Sequence, residues 1–386
     1  MRGTATPRGR LLLGLGALPL VLAACGSGPA KTTTSSTLPP LPPTTVGYVT
    51  LIGSASNLGS GNGLEAINLS EGAGGSTRTF TVGTFPDAAA VTPDGKTLYV
   101  TNYASNTVTP IAVATGTVEK AIPVGAGPAG IAIAPNGKTA YVTDAGSSPI
   151  GDTVTPINLK THKALAPITV GGGPQGIVIT PDGATAYVAN AGGIVTGQNA
   201  PLGHTVTPID LKSGKAGAPI TVGNAPTALA MTPDGATVYV ANTGSGSVTP
   251  LTVAGNSAGV PITVNGSPQA LAATATTVYV ADDSASSTAG NNVTPIALSS
   301  GSAGTPIVTG ANPTGLAISP DRKTAYVVCN GTGKLESLDL TSNTVLKTAT
   351  VSVPGGAYAI ALAGVPAAEL ASAFGVKPAK KKAVTG

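Results

Sequence analysis

One unit recurs along this chain, and it limits what the chain can fold into more than any other feature. It is clearest as Pro128-Ala-Gly-Ile-Ala-Ile-Ala-Pro-Asn-Gly-Lys-Thr-Ala-Tyr-Val-Thr-Asp144, then Thr153-Val-Thr-Pro-Ile-Asn-Leu159, then Ala166-Pro-Ile-Thr-Val-Gly171. The same unit begins at Pro86, Pro174, Pro226, Pro268 and Pro313, so the intervals in chain order are 42, 46, 52, 42 and 45 residues. A unit of this length that cannot bury its own apolar face must stack on its neighbours.

Within each unit, four short runs rich in Val, Ile, Thr and Tyr alternate with Gly, Pro, Asn and Asp, as β-strands and their turns require. The first run enters a Pro-Asp-Gly or Pro-Asn-Gly turn at Asp94, Asn136, Asp182 and Asp234, with Asp321 in a Pro-Asp-Arg variant. The glycine supplies positive φ, and the Asp or Asn side chain caps the turn. The second run is Tyr-Val-x-Asn or a near variant, at Tyr99, Tyr141, Tyr187, Tyr239, Tyr279 and Tyr326. The third is Val-Thr-Pro-Ile, whose proline predicts a bulge or an edge. The fourth is Pro-Ile-Thr-Val-Gly. Four strands per unit are the pattern of a propeller blade.

A Pro-Asp-Gly turn, Tyr-Val-Thr-Asn and Val-Thr-Pro-Ile together resemble the YVTN family of β-propellers, over about Val46 to Leu362. The Trp-Asp and Gly-His marks of WD repeats do not recur, and tryptophan is absent. Tyr48 to Gly83 supplies runs two to four of a unit without a first run. Pro354 to Leu362 supplies a first run with nothing after it. Joined, they make a seventh blade and close the ring without an unpaired edge. The expected fold is all-β, a seven-bladed propeller over residues 46–364.

The ends read differently. Arg2, Arg8 and Arg10 precede an apolar stretch from Leu11 to Ala24, too short at fourteen residues to span a bilayer. This is the form of a secretory signal. Its ending, Leu22-Ala23-Ala24-Cys25-Gly26, resembles the lipobox of bacterial lipoproteins. The resemblance implies cleavage after residue 24, lipid on Cys25, a membrane partner and an extracytoplasmic location. Residues 25–45 are rich in Thr, Ser and Pro and read as an extended tether. Residues 365–386 end in a basic cluster around Lys377 to Lys382 and read as a frayed tail.

The formal charge of +4 belongs to those ends. Between Val46 and Leu362 there are 12 basic and 15 acidic residues, so the folded body is slightly acidic at −3. Without a basic stripe, nucleic-acid binding is unsupported. Gly125-Ala-Gly127-Pro-Ala-Gly130 and Gly171-Gly-Gly173-Pro-Gln-Gly176 match a dinucleotide fingerprint, but both lead into strands where the fingerprint needs a helix. Cys329, the second of two cysteines, reads as a buried filler. His162 lies in a turn and reads as solvated. His162 and His204, the only histidines, lack an acidic cluster at ligand spacing, so zinc and iron are not expected and no cofactor is assigned. Calcium held partly by carbonyls is left open.

Loops between runs two and three vary most: five residues after Asn102, nine after Asp144, fifteen after Asn190, five after Asn242 and ten after Asp282. In a propeller they share a face with the blade connections, around the channel mouth, and so make the expected ligand face. Gln175, Thr227, Gln269 and Thr314, just after the repeat prolines, should approach that mouth. Asp87, Asp144, Asp152, Asp282, Asp283 and His204, all outside the strand-one turn, complete the candidate set.

With 9% charged residues and no clustered acid–base pair, the composition favours a monomeric, non-catalytic binding scaffold of the cell envelope. Its partner would be an envelope protein or a glycan. Two alternatives stand beside it. Propellers similar in appearance include lactonases and a lyase acting on a cyclic antibiotic, which imply carboxylate, Arg or His groups in the channel. Others partner redox enzymes, although no haem Cys-x-x-Cys-His is present.

Overall fold

The computed structural model describes residues 44–365 apart from 54–60, 147–149, 194–201, 265, 284–290, 348–349 and 355, together with Phe374; at 72–74 it describes the backbone only. The signal, Cys25 and the tether up to residue 43 lie outside the described residues, as do the middles of the three longest loops; Thr44 and Thr45, read as tether, begin the first strand.

The described strands form seven antiparallel sheets. Blades one to six begin with inner strands Pro86–Val91, Pro128–Ile133, Pro174–Ile179, Pro226–Met231, Ser267–Ala273 and Pro313–Ile318. Each inner strand lies beside that of the next blade. Blade seven is composite: its inner strand Ala357–Val365 pairs with Thr44–Leu51, which pairs with Gly63–Asn68 and then Thr77–Thr81. The register sets Tyr48 opposite both Ala361 and Ala66. Ala357–Val365 also packs on Pro86–Val91 of blade one, which closes the ring.

Blades one to six end in the same way. In blade one, Thr107–Ala112 sets Pro110 opposite Tyr99 on its inner side. On the outer side the fourth run is not one strand but two pairs of residues, Thr117–Val118 and Ile122–Pro123, one at each end of Thr107–Ala112. Pro110 has no N–H to donate to the outer ladder, but blade six shows the same split with Ser337 at that position, so the proline fits the break without causing it. Blades two to five repeat the pattern.

Apolar clusters lie between successive blades. Tyr187, Val206 and Leu229 of blades three and four pack with Val238, Val240 and Leu251, all nearly fully buried. Burying an aliphatic side chain of this size contributes about 1.5–3 kcal/mol. Tyrosines of the second run add polar ties across blades. Tyr187 Oη donates to Asn256 Oδ1 at 2.6 Å and Tyr279 Oη to Asn343 Oδ1 at 2.9 Å, both acceptors lying in the following blade at positive φ. Tyr99 reaches His162 in the same way, with Oη 3.2 Å from Nε2. His162 is therefore not a freely solvated turn residue. Its ring meets Tyr99 edge-on, and Nδ1 lies 3.3 Å from Glu119 Oε2. Phe374 packs on the cluster shared by blades seven and one, so at this one residue the chain beyond Val365 contacts the ring.

Candidate functional site at the channel mouth

At several blades a neighbouring threonine holds the residue that follows the repeat proline. Thr101 Oγ1 donates to Ala129 O at 2.7 Å, Thr143 Oγ1 to Gln175 O at 2.6 Å, and Thr50 Oγ1 to Asp87 O at 3.2 Å. These bonds align equivalent positions on successive strands. The resulting ring is Asp87, Ala129, Gln175, Thr227, Gln269, Thr314 and Tyr358. Next along the strand come Ala88, Gly130, Gly176, Ala228, Ala270, Gly315 and Ala359, all small. A Cβ at Gly176 would sit 2.7 Å from Thr227 O, so side-chain size is limited there by the approach of the strands themselves.

Five expected residues thus come together: Asp87, Gln175, Thr227, Gln269 and Thr314. Two tyrosines that sequence reasoning passed over join them. Tyr358 stands beside Asp87 on the adjoining strand, and Thr314 Oγ1 donates to its carbonyl at 2.7 Å. Tyr103 follows the second strand of blade one and donates from Oη to Gly146 O at 2.9 Å, while its ring lies tilted against Phe85 with centroids 5.5 Å apart. A signal for Tyr358 was available: aligned as a first run, Gly356-Ala357-Tyr358 sets it at the position of Asp87.

Desolvation pushes the Asp87 carboxyl up to about 7. The charge of Asp87 is in turn the main cause raising the Tyr358 phenol, with burial second. Tyr103 is raised by burial first and by Asp87 second. Asp87 therefore changes charge near neutrality between two phenols that remain protonated there. A carboxyl tuned in this way is suited to general acid–base work.

Asp144 and Asp282 prove to be built into the blades. They end the second strands of blades two and five, where blades one, three and four carry Asn102, Asn190 and Asn242. Both are buried, and desolvation raises both carboxyls, Asp282 to about 7. Asp144 still borders a cleft of about 630 Å³ beside the mouth, which Asp152, Tyr103 and Asn106 also line. Asp283 and His204 are not among the residues lining that cleft; Asp283 is half-buried opposite Ser267, and His204 is exposed near the start of Leu202–Asp210. Cys329 is fully buried, and burial pushes its thiol up to about 12, so it is an inert filler. Among the described residues no group of three or more His, Cys, Asp or Glu could hold a metal ion.

No protein-family model matches this chain, nor does any curated protein. Solved structures do. The periplasmic gluconolactonase of Pseudomonas aeruginosa superposes with a TM-score of 0.66 at 17% identity, covering 83% of this chain and 100% of that one. A candidate 6-phosphogluconolactonase from Bacteroides uniformis gives 0.67 at 14%, covering 83% and 99%. Hydrazine synthase of Kuenenia stuttgartiensis gives 0.63 at 23%, covering 71% and 88%. The expectation of a non-catalytic scaffold is corrected by these findings, because the matched propellers bear the names of enzymes. Asp87 and Tyr358 come together only when the ring closes, from opposite ends of the repeat region. At such identities the likeness is one of fold, and the chain is a seven-bladed β-propeller of the architecture seen in propeller lactonases.

Proposed function

We propose that this propeller is a lactonase-like hydrolase with its site at the channel mouth. The observation that carries the proposal is Asp87, a carboxyl with a pKa of about 7, set on the innermost strand beside Tyr358. As general base, Asp87 takes one proton from a water whose oxygen bonds to the lactone carbonyl carbon. The carbonyl oxygen becomes an oxyanion, and the phenol of Tyr358 or Tyr103 donates a hydrogen bond to it. Collapse of this intermediate breaks the ring C–O bond. The proton held by Asp87 passes to the leaving oxygen, giving the open hydroxy acid and restoring the carboxylate. One water is consumed and nothing is oxidised. The polar ring of Gln175, Thr227, Gln269 and Thr314 would orient substrate hydroxyls.

The test is turnover of simple aldonolactones by the protein and by Asp87→Asn. Loss of the base should lower kcat/KM about 10²–10⁴-fold. The wild-type rate should rise through pH 7 as Asp87 ionises. Full activity in Asp87→Asn would overturn the assignment.

The repeats further support a place beside the YVTN propellers. The sequence Leu22-Ala-Ala-Cys25 supports export and lipid anchoring at Cys25, with residues 25–45 as tether and 46–364 as the propeller.

A further inference from the structure

The ionisable residues of the ring are sorted by face. In each blade the chain runs so that turns between strands one and two, and between three and four, lie on the face away from the mouth. The loops between strands two and three and the blade connections lie on the mouth face. Eight of the twelve basic residues of the ring fall in the turns of the far face, including the pairs Lys160–Lys163 and Lys212–Lys215. Three more, Arg78, Lys120 and Lys347, lie on or beside the outer strands. Lys334, at the start of Lys334–Asp339 in blade six, is the one basic residue placed on the mouth face, and it is exposed. That face carries five aspartates: Asp87, Asp144, Asp152, Asp282 and Asp283. The internal stretches outside the described residues contain no Asp, Glu, Lys or Arg, so they do not alter this count.

An anionic substrate would approach a mouth whose accessible carboxylates are Asp87, Asp152 and Asp283, with Asp144 and Asp282 buried behind them and Lys334 the one ammonium, and among the described residues it would find no guanidinium or paired lysines to hold a phosphate. A neutral polyol meets acceptors and amides instead: the carboxylates, Gln175 and Gln269. Like-charge juxtaposition is how a site rejects a substrate it could otherwise fit.

Resting on the reading of the mouth as a lactonase site, we infer that it takes uncharged polyhydroxylated lactones and rejects their phosphate monoesters. Specificity lies in the field of the mouth face, with Asp152, exposed at the cleft rim, as an adjustable contributor.

The experiment compares an aldonolactone with its 6-phosphate, as turnover and as binding to the intact protein by calorimetry. The neutral lactone should be favoured at least about tenfold in kcat/KM near 0.15 M salt, with the gap widening as ionic strength falls. Asp152→Lys should narrow the gap, and Lys334→Glu should widen it. Equal or better handling of the phosphate ester, or a ratio indifferent to salt and to both variants, overturns the inference. If neither lactone is hydrolysed, the hydrolase proposal fails on its own. In that case binding of the neutral lactone alone still supports the selectivity. Binding of the phosphate ester, of inorganic phosphate, or of neither lactone overturns it.

Discussion

Thr155 Oγ1 donates to Asp144 Oδ2 at 2.7 Å, the reverse of the bond in blade one, where Asn102 Nδ2 donates to Thr109 Oγ1 at 2.9 Å. The threonine hydroxyl can serve as donor or acceptor, so the blade accepts either Asn or Asp at the end of its second strand. The exchange matters only through charge. An Asn is neutral at every pH, whereas the aspartate must ionise inside the protein.

This yields a prediction at Asp282, which Thr294 serves as Thr155 serves Asp144. Burial raises the Asp282 carboxyl from 3.8 to about 7, so between roughly pH 4 and 7 the folded state holds a proton that the unfolded chain has lost. The stability that this proton carries is lost as pH rises through that window. Asp282→Asn removes the penalty and keeps the hydrogen bond with its direction reversed, as in blade one. The variant should melt several degrees higher than wild type at pH 8, with the difference shrinking toward pH 4. A constant difference across that range would mean that Asp282 is not the titrating group.

A second prediction concerns Arg322. Four repeats place glycine at its position, with φ between +66° and +72°, and Arg322 adopts φ +59° in the same turn. A left-handed backbone costs a residue with a Cβ about 1–2 kcal/mol, against about 0.5–1 kcal/mol for the extra freedom of glycine in the unfolded chain. Arg322 is exposed and lies on the face away from the mouth. Arg322→Gly should therefore stabilise by about 0.5–1 kcal/mol, read as a higher denaturant midpoint with an unchanged slope. A lower midpoint would show that the guanidinium makes a compensating contact.

A third prediction tests closure of the ring. Ala357–Val365 is the inner strand of blade seven and supplies Ala361, Ala363 and Val365 to the cluster shared with blade one. Removing residues after Val353 exposes the edge of Thr44–Leu51 and opens the interface with blade one. Unfolding of this truncation should occur at clearly lower temperature, with loss of cooperativity and a tendency to self-associate. A melting curve superimposable on that of the full chain would contradict closure by this strand.

Most of the architecture was legible because a fixed period carries strand, turn and strand in the same order six times. The split fourth run was not. It occurs around Pro110 in blade one and around Ser337 in blade six, so no single residue of the third run signals it. The mouth was half legible. Asp87, Gln175, Thr227, Gln269 and Thr314 follow the repeat prolines, so the period placed them. Tyr358 follows Ala357 where the other units have the repeat proline, and its meeting with Asp87 exists only after closure joins the two ends. In Asp144 and Asp282 an Asp replaces the repeated Asn and makes a variant of the same hydrogen bond, which spacing alone does not reveal.

A fourth prediction separates the anchor from the propeller. If lipid on Cys25 holds the protein to the membrane, Cys25→Ala should appear in the soluble extracytoplasmic fraction with the same melting curve as the ring of the native protein. A single acyl chain binds membranes only marginally, so stable partition of the native protein requires full lipid attachment at Cys25. Retention of Cys25→Ala in the membrane pellet after a salt wash would reject the anchor.

The last prediction distinguishes Tyr358 from a packing residue. Its phenol is raised chiefly by the charge of Asp87, so at neutral pH it remains a neutral O–H donor beside a carboxyl that titrates near 7. If it stabilises the oxyanion, Tyr358→Phe keeps the ring and the strand but removes the donor. Losing one such donor typically costs about 10²–10³-fold in kcat. KM should change little, because a donor aimed at developing charge acts mainly in the transition state. The pH dependence should still rise near 7, since Asp87 remains. A purely structural role would instead lower the melting temperature and leave kcat per folded molecule unchanged. An effect confined to KM would assign Tyr358 to substrate binding. In either case Tyr103, the other phenol sensitive to Asp87, becomes the donor to test by the same substitution.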